Sequence, residues 1–175
     1  DINECNLRED HEGVYNFVID AAKKLKSASA DCLVLCANTL HQYADRIVEE
    51  VKLPLIHIAD ATAVEIKKQG LSKIGLLGTK FTMEMDFYTK RLSEAGIISI
   101  VPEKPERLFI HNTIMNELLK EIYKPESKKR FLEIINDLEQ KGAQGIVLGC
   151  TEIPLLITQS DTHLPVFNTL KIHAK

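Results

Sequence analysis

Residues 145–152 have the sequence GIVLGCTE, in which a short apolar run is followed at once by a cysteine, a hydroxyl and a carboxylate. The run is typical of a buried strand, and Pro154 indicates a helix start shortly after it. In open α/β sheets, ligands bind at the carboxyl ends of the strands, so this stretch predicts both a fold class and a site. Backbone N–H groups at a helix start stabilise anions, and we therefore expect Cys150 to ionise readily. A thiolate is a nucleophile and a base, which indicates an enzyme.

The composition is that of a globular protein that does not bind nucleic acid or a membrane. The chain has 175 residues, of which 45% are hydrophobic and 27% are charged, and its net charge is -3. It therefore lacks a basic footprint for nucleic acid, and no apolar stretch reaches the length of a membrane span. The four cysteines, at positions 5, 32, 36 and 150, match no metal-binding spacing. We expect no metal ion and a reducing, cytoplasmic setting.

Apolar runs and helical stripes alternate along the chain, which predicts a parallel sheet covered by helices on both faces. The patterns predict strands at residues 31–35, 53–58, 73–77, 97–101, 146–148 and 164–167, and helices at residues 12–26, 40–51, 60–69, 82–95, 106–123, 127–141 and from 169 onward. Two strands end in similar polar loops, at residues 36–39 and 149–152. We therefore expect an α/β protein with two similar lobes that face each other across a cleft. The predicted first lobe comprises residues 1–60 plus 162–175, and the second comprises residues 61–161.

The chain begins at Asp1 and opens on a predicted helix, whereas an α/β sheet normally begins with a strand. We therefore expect that one or more amino-terminal strands of the first lobe are missing. The sequence leaves open whether such a segment was never made, was cleaved or was left out.

Three separate loops, in order along the chain, resemble those of the aspartate/glutamate racemase family. Residues 31–41, DCLVLCANTLH, resemble its first signature, and residues 149–153, GCTEI, resemble its second. Between them, residues 74–83, IGLLGTKFTM, are similar to the Gly-Thr-x-x-Thr substrate loop of the family. The stretches MDFY at 85–88 and PVFNT at 165–169 look closest to the branch of broad-specificity amino-acid racemases.

This resemblance implies an isomerase that racemises an amino acid without a cofactor, as a homodimer. In the family, one cysteine thiolate removes the α-proton and a second cysteine returns a proton from the opposite face. Cys150 matches the second of these cysteines, and it is the expected catalytic residue. The residues implied to bind the substrate are Asn38, Thr39, Thr79, Thr82, Thr151 and Glu152.

The position of the first family cysteine is occupied by Ala37, which has no proton to give. Cys36 lies one residue earlier, and a slip of one residue along a strand turns a side chain to the other face. A packed core thiol is therefore the favoured interpretation of Cys36, although a break in the strand could still bring it to the site. The loss at Ala37 leaves two alternatives to racemisation. One is a single-cysteine decarboxylase or isomerase of the same superfamily, and the other is a degenerate amino-acid-binding protein.

Several of the polar side chains have a second interpretation. The capping of the helices that follow is an alternative role for four of them, since Asn and Thr are favoured at such positions: Asn38, Thr39, Thr79 and Thr82. Glu152 could pair with a cation or steer the substrate ammonium group. His163 and His173 could approach Cys150 and favour its thiolate.

Overall fold

The computed structural model describes Cys5, Arg8 and residues 10–175. The chain divides into two compact units, the first comprising residues 1–36 and 40–57 and the second comprising residues 37–39 and 58–175. In the described residues the helices are α1 His11–Ser27, α2 Ala44–Val51, α3 Ile58–Lys68, α4 Lys80–Glu84, α5 Asp86–Glu94, α6 Lys104–Asn116, α7 Pro125–Gln140 and α8 Thr169–His173. The strands are β1 Leu33–Val34, β2 Leu55–Ile56, β3 Lys73–Gly78, β4 Ile98–Ile100, β5 Ile146–Gly149 and β6 Val166–Asn168. Short 3-10 helices occupy Asn38–Tyr43, Leu118–Lys120, Ile153–Leu155 and Gln159–Asp161.

The first unit is built on α1, whose apolar stripe buries Val14, Val18 and Ile19 in a core shared with β1 and α2. Asp10 caps this helix by accepting a hydrogen bond from the Gly13 N–H over 2.8 Å.

The two strands that the sequence predicts at 31–35 and 53–58 are shorter than expected. Each keeps two residues, β1 and β2, which pair in parallel. Val34 and Ile56 lie opposite each other and are 47% and 48% exposed, so this pair of strands is buried on one face only. The chain enters α3 already at Ile58, which the sequence assigns to the strand.

The second unit contains, in its described residues, a parallel sheet with the strand order β4-β3-β5-β6. Alternate side chains of β5 enter different cores: Leu148 packs with α6 and α7 on one face, and Val147 packs with α3 and α5 on the other. The predicted α/β fold, with a parallel sheet between layers of helices, is therefore confirmed.

The carboxyl-terminal segment differs from the predicted lobe boundary, which assigns residues 162–175 to the first lobe. In the structure β6 pairs with β5 in the second unit, because the Ile146 N–H donates to Pro165 O and the two strands continue in register. The helix α8 then contacts α3, also within the second unit. The cleft between two lobes stays a prediction.

Two predicted helices are interrupted. The helix expected at 82–95 is divided into α4 and α5 at Met85, whose backbone is extended, with ψ at 157°. The helix expected at 106–123 ends at Asn116 and continues as a 3-10 turn. None of the helices that the structure describes is both long enough and apolar enough to span a membrane.

Candidate functional site

A pair of glycines shapes the end of the sheet next to Cys150. Gly78 and Gly149 are register partners on β3 and β5. A Cβ atom on Gly149 would lie 3.0 Å from Leu77 O and from Thr82 Cγ2, and a Cβ atom on Gly78 would lie 2.9 Å from Thr82 Cβ. Side chains at these two positions would therefore push Thr82 away. The glycines bring the Gly-Thr-x-x-Thr loop against the strand that carries Cys150.

Cys150 is 7% exposed and contacts the carboxylate two residues after it. Its Sγ donates a hydrogen bond to Glu152 Oε2 over 2.9 Å. The hydroxyl of Thr151 donates to the other oxygen, Glu152 Oε1, over 2.8 Å. Both oxygens of the Glu152 carboxylate thus accept a hydrogen bond from a residue just before it in sequence, and the Cys150 thiol is one of the two donors.

The surroundings of Cys150 correct the expectation that it ionises readily. Burial raises the pKa of the Cys150 thiol far above its ordinary value, and the negative charge and hydrogen bond of Glu152 raise it further. The backbone N–H groups of Glu152 and Ile153 lower this pKa, as the sequence argument expects, but they are outweighed. These surroundings favour the protonated thiol of Cys150 at neutral pH.

The Asn-Thr loop of the first signature lies in the second unit and reaches β5 through Thr169. The Asn38 Nδ2 donates to Thr169 Oγ1 over 3.1 Å. The Thr169 hydroxyl in turn donates to Leu148 O over 2.8 Å, two residues before Cys150. The Asn38 Oδ1, the atom that would cap the turn that follows, accepts no hydrogen bond within the described residues.

The first hydroxyl of the Gly-Thr-x-x-Thr loop is not used for capping either. Thr79 precedes α4, but its side chain accepts no capping hydrogen bond. Its Oγ1 lies 3.5 Å from Thr82 Oγ1, and Thr82 is fully buried. The backbone N–H of the next residue, Lys80, donates to His111 Nδ1 over 3.4 Å.

Cys36 is exposed, which corrects the expectation of a packed core thiol. The reason is that β1 ends at Val34 and the chain turns before Cys36, so strand alternation no longer sets the direction of its side chain. Cys36 belongs to the first unit, while Ala37 belongs to the second. The described cysteines are all free.

The structure places His163 differently from its expectation, and the expected approach of His173 to Cys150 stays a prediction. His163 is exposed, and its Nε2 lies 2.6 Å from Glu139 Oε1, which differs from the expected approach to Cys150. His41 and His57 are buried with their ring centroids 4.7 Å apart. Among the residues that the structure describes, no three His, Cys, Asp or Glu side chains converge as metal ligands.

The structure gathers most of the expected residues in the second unit. These are Ala37, Asn38, Thr39, Thr79, Thr82, Cys150, Thr151 and Glu152. Sequence reasoning did not single out Thr169 or His111. Thr169 follows the last parallel strand, and its position at a strand end is a signal that could have found it; His111 lies mid-helix and has no such signal. The roles of the gathered residues in binding or catalysis stay predictions.

Comparison with known proteins agrees with the fold and the loops. A family model described as Asp/Glu/Hydantoin racemase matches residues 4–175. The broad specificity amino-acid racemase RacX of Bacillus subtilis (strain 168) is 25% identical over 169 residues, which are 95% of this chain and 71% of that protein.

Two crystal structures are similar throughout. A Yersinia pestis protein proposed to be an Asp/Glu racemase is 44% identical, with a TM-score of 0.91 over 99% of this chain and 76% of that one. An aspartate racemase homologue from Pyrococcus horikoshii OT3 is 40% identical, with a TM-score of 0.83 over 94% of this chain and 73% of that one. The match runs through almost every residue of the chain and includes the loops that carry Asn38, Thr79 and Cys150, so this chain belongs to the Asp/Glu/hydantoin racemase family.

Proposed function

We propose that this protein is a cofactor-independent amino-acid racemase that moves a proton to and from the α-carbon with Cys150 as its acid and base. The observation that carries the proposal is the 2.9 Å contact between Cys150 Sγ and Glu152 Oε2 at the end of β5. Membership of a racemase family supports the reaction class. The similarity to an aspartate racemase homologue makes acidic amino acids the first substrates to test.

In the proposed proton transfers, Glu152 holds the proton that leaves the thiol, so that no proton is lost. For proton removal, the thiol proton of Cys150 passes to Glu152 Oε2, and the resulting thiolate takes the proton from Cα. The Cα–H bond breaks, an S–H bond forms, and the electron pair remains on carbon. Inversion needs a proton on the opposite face of the carbanion, where Ala37 has none to give, and we propose that a water molecule supplies it. The hydroxide that remains regains a proton from Glu152, and the reverse reaction runs through the same steps with the Cys150 thiol as the acid.

The carbanion needs hydrogen-bond donors on the substrate carboxylate, because the negative charge spreads onto the carboxylate oxygens. The hydroxyl of Thr79 is our first candidate, since it is not occupied by capping. Thr82 is fully buried, so its proposed part is to contact the Thr79 hydroxyl from behind. The partly exposed Thr39 is a second candidate. The Thr151 hydroxyl instead holds Glu152, so its proposed role is to orient the carboxylate.

A decarboxylase of the same superfamily is the second candidate, and two observations favour it. Ala37 offers no proton to the opposite face of the substrate, and burial beside Glu152 raises the pKa of Cys150, which keeps it a thiol. Decarboxylation breaks a C–C bond, releases CO₂ and leaves a carbanion that needs only one proton donor. The Cys150 thiol can supply that proton.

The decisive experiment follows the α-proton in deuterated water by NMR. L- and D-aspartate and L- and D-glutamate are incubated with the protein, with no pyridoxal phosphate added. We expect exchange of the α-proton in the native protein, and a loss of about a hundredfold or more in Cys150→Ala, the range for general acid–base groups.

Two thiol variants serve as controls. Cys32→Ser removes an exposed thiol of the first unit and should retain full exchange. Cys36→Ser tests the neighbour of Ala37, and we expect it to remain active. Absence of exchange with every amino acid would reject the racemase; CO₂ release from a substituted malonate would then support the decarboxylase. Amino-acid binding without either reaction would indicate a binding protein.

A further inference from the structure

The hydroxyl of Thr169 fixes the direction of two hydrogen bonds. A threonine hydroxyl has one proton, and a backbone carbonyl can only accept. The 2.8 Å contact to Leu148 O therefore uses the Thr169 proton. Toward its other partner, Asn38, the Thr169 oxygen can only accept, so the Asn38 atom at 3.1 Å must be the amide nitrogen.

This assignment leaves the other end of the Asn38 amide as an acceptor. Asn38 is 4% exposed, and its Oδ1 has no hydrogen-bond partner in the described part of the chain. Buried polar atoms nearly always have a partner, so an unpaired buried oxygen at a strand-end loop indicates a donor from a ligand. The connection through Leu148 ties this oxygen to the strand that carries Cys150.

We propose that Thr169 is a positioning residue that turns the Asn38 carbonyl oxygen toward the ammonium group of the substrate, so that the site prefers α-amino acids to carboxylic acids without an amino group. This inference rests on the proposed amino-acid substrate and revises the expectation that Asn38 offers donors to a carboxylate. Thr169 holds the amide nitrogen of Asn38, and the atom of this buried side chain that is left without a partner is the carbonyl oxygen.

A preference for α-amino acids also suits the removal of an α-proton. A neutral acceptor favours the ammonium form over the free amine, because a hydrogen bond from a charged donor is stronger than one from a neutral donor. The positive ammonium group withdraws electrons from Cα and makes the α-proton more acidic. An amide oxygen can hold the ammonium group without placing a second negative charge close to the developing carbanion.

The test compares two substitutions of Thr169 by calorimetric binding. Thr169→Val replaces the hydroxyl by a methyl group of similar size, so the Asn38 amide is no longer held. Thr169→Ser keeps the hydroxyl and is the matched control. The probes are L- and D-aspartate and L- and D-glutamate, with succinate and glutarate as their counterparts without an amino group.

We expect the native protein to bind at least one of the amino acids more tightly than its counterpart. Thr169→Val should weaken binding of that amino acid by about tenfold or more, as loss of a hydrogen bond to a charged group does. Binding of succinate and glutarate should change by less than about threefold, because the released amide can present its N–H group to a carboxylate. Thr169→Ser should bind like the native protein.

Asn38→Ala separates positioning from a general loss of structure. If Thr169 acts through Asn38, adding Thr169→Val to Asn38→Ala should not weaken amino-acid binding further. Equal weakening of aspartate and succinate in Thr169→Val, additive effects in the double variant, or no amino-acid preference in the native protein would each overturn the inference. Binding needs no turnover, so selective binding without α-proton exchange would reject the proposed racemase and leave the role of Thr169 intact.

Discussion

Glu152 is both the acceptor for the Cys150 thiol, over 2.9 Å, and a charge that holds the thiol in its protonated form. These two effects have the same origin, because a carboxylate next to a thiol stabilises S–H as a donor and repels the thiolate. The thiol and the carboxylate share one proton, which sulfur carries and donates to Glu152. A substitution of Glu152 can therefore change the acidity of Cys150 while the thiol itself is retained.

Glu152→Gln should lower the pKa of Cys150 toward its ordinary value, because it removes the negative charge while a side-chain oxygen remains. We expect iodoacetamide to alkylate Cys150 faster in this variant than in the native protein at about pH 8.5, close to the ordinary thiol pKa. Peptide mass spectrometry measures the rate, and the exposed Cys32 and Cys36 are internal controls that should not change. An unchanged rate at Cys150 would mean that Glu152 does not govern its ionisation.

Ala37→Cys should raise the rate at which an amino acid is inverted, because it supplies a second thiol at the position of the first family cysteine. In deuterated water we expect the native protein to exchange the α-proton of one enantiomer faster than it inverts that enantiomer. The variant should increase inversion by about tenfold or more. Ala37→Ser is the matched control, since a serine hydroxyl is similar in size but much less acidic; equal inversion in both variants would contradict the prediction.

His111→Asn should make the protein less sensitive to acid. Burial lowers the pKa of His111, the positive charge of Lys80 lowers it further, and Glu84 opposes both. The unfolded chain therefore binds a proton at His111 more tightly than the folded protein does. The free energy of unfolding should consequently fall as the pH drops through the ordinary histidine pKa of about 6.5.

Urea unfolding between about pH 7.5 and pH 5.5 measures this dependence. Asparagine can accept from the Lys80 N–H through its Oδ1 without titrating. We expect a shallower loss of stability in His111→Asn than in the native protein. His163→Asn, which replaces an exposed histidine, is the comparison. Identical slopes in the native protein and His111→Asn would contradict the prediction.

Tyr88→Phe should make the protein less sensitive to alkali. Full burial raises the pKa of the Tyr88 hydroxyl, and its hydrogen bond to Thr62 Oγ1, over 3.1 Å, lowers it only partly. Above the ordinary tyrosine pKa of about 10, the unfolded chain loses this proton while the folded protein keeps it, so the free energy of unfolding falls.

At about pH 8 we expect Tyr88→Phe to be less stable than the native protein by about 1 kcal/mol, the value of one hydrogen bond. The difference should narrow as the pH rises from about 8 to 11. Unfolding in urea followed by circular dichroism measures both values. A difference that stays constant over this range would show that Tyr88 does not titrate on unfolding.

The sequence predicts the second unit better than the first. The apolar run at residues 146–148 is buried on both faces of the parallel sheet, and its position is confirmed, with Gly149 as one further residue. The runs at 31–35 and 53–58 have similar composition but form strands of two residues. Strand length depends on the partner that a segment meets, and a single-segment pattern does not report that partner.

For the candidate site as well, the sequence predicts some features correctly and others wrongly. Order and spacing of the loops around Asn38, Thr79 and Cys150 indicate the family, and this assignment is confirmed. The protonation of Cys150 is the opposite of what its position at a turn predicts, because burial outweighs the nearby backbone N–H groups. Desolvation depends on every segment that packs around the sulfur, not only on those next to it in sequence.

The sequence by itself determined the alternation of strands and helices, the glycines that let the loops approach, and the identity of the residues available for chemistry. Only the tertiary structure decided which atom each of those residues can offer. The amide of Asn38 is oriented by Thr169, 131 residues later in the chain. Apolar periodicity is a local property of a segment, whereas hydrogen-bond partners and loss of water are set by distant segments that meet when the chain folds.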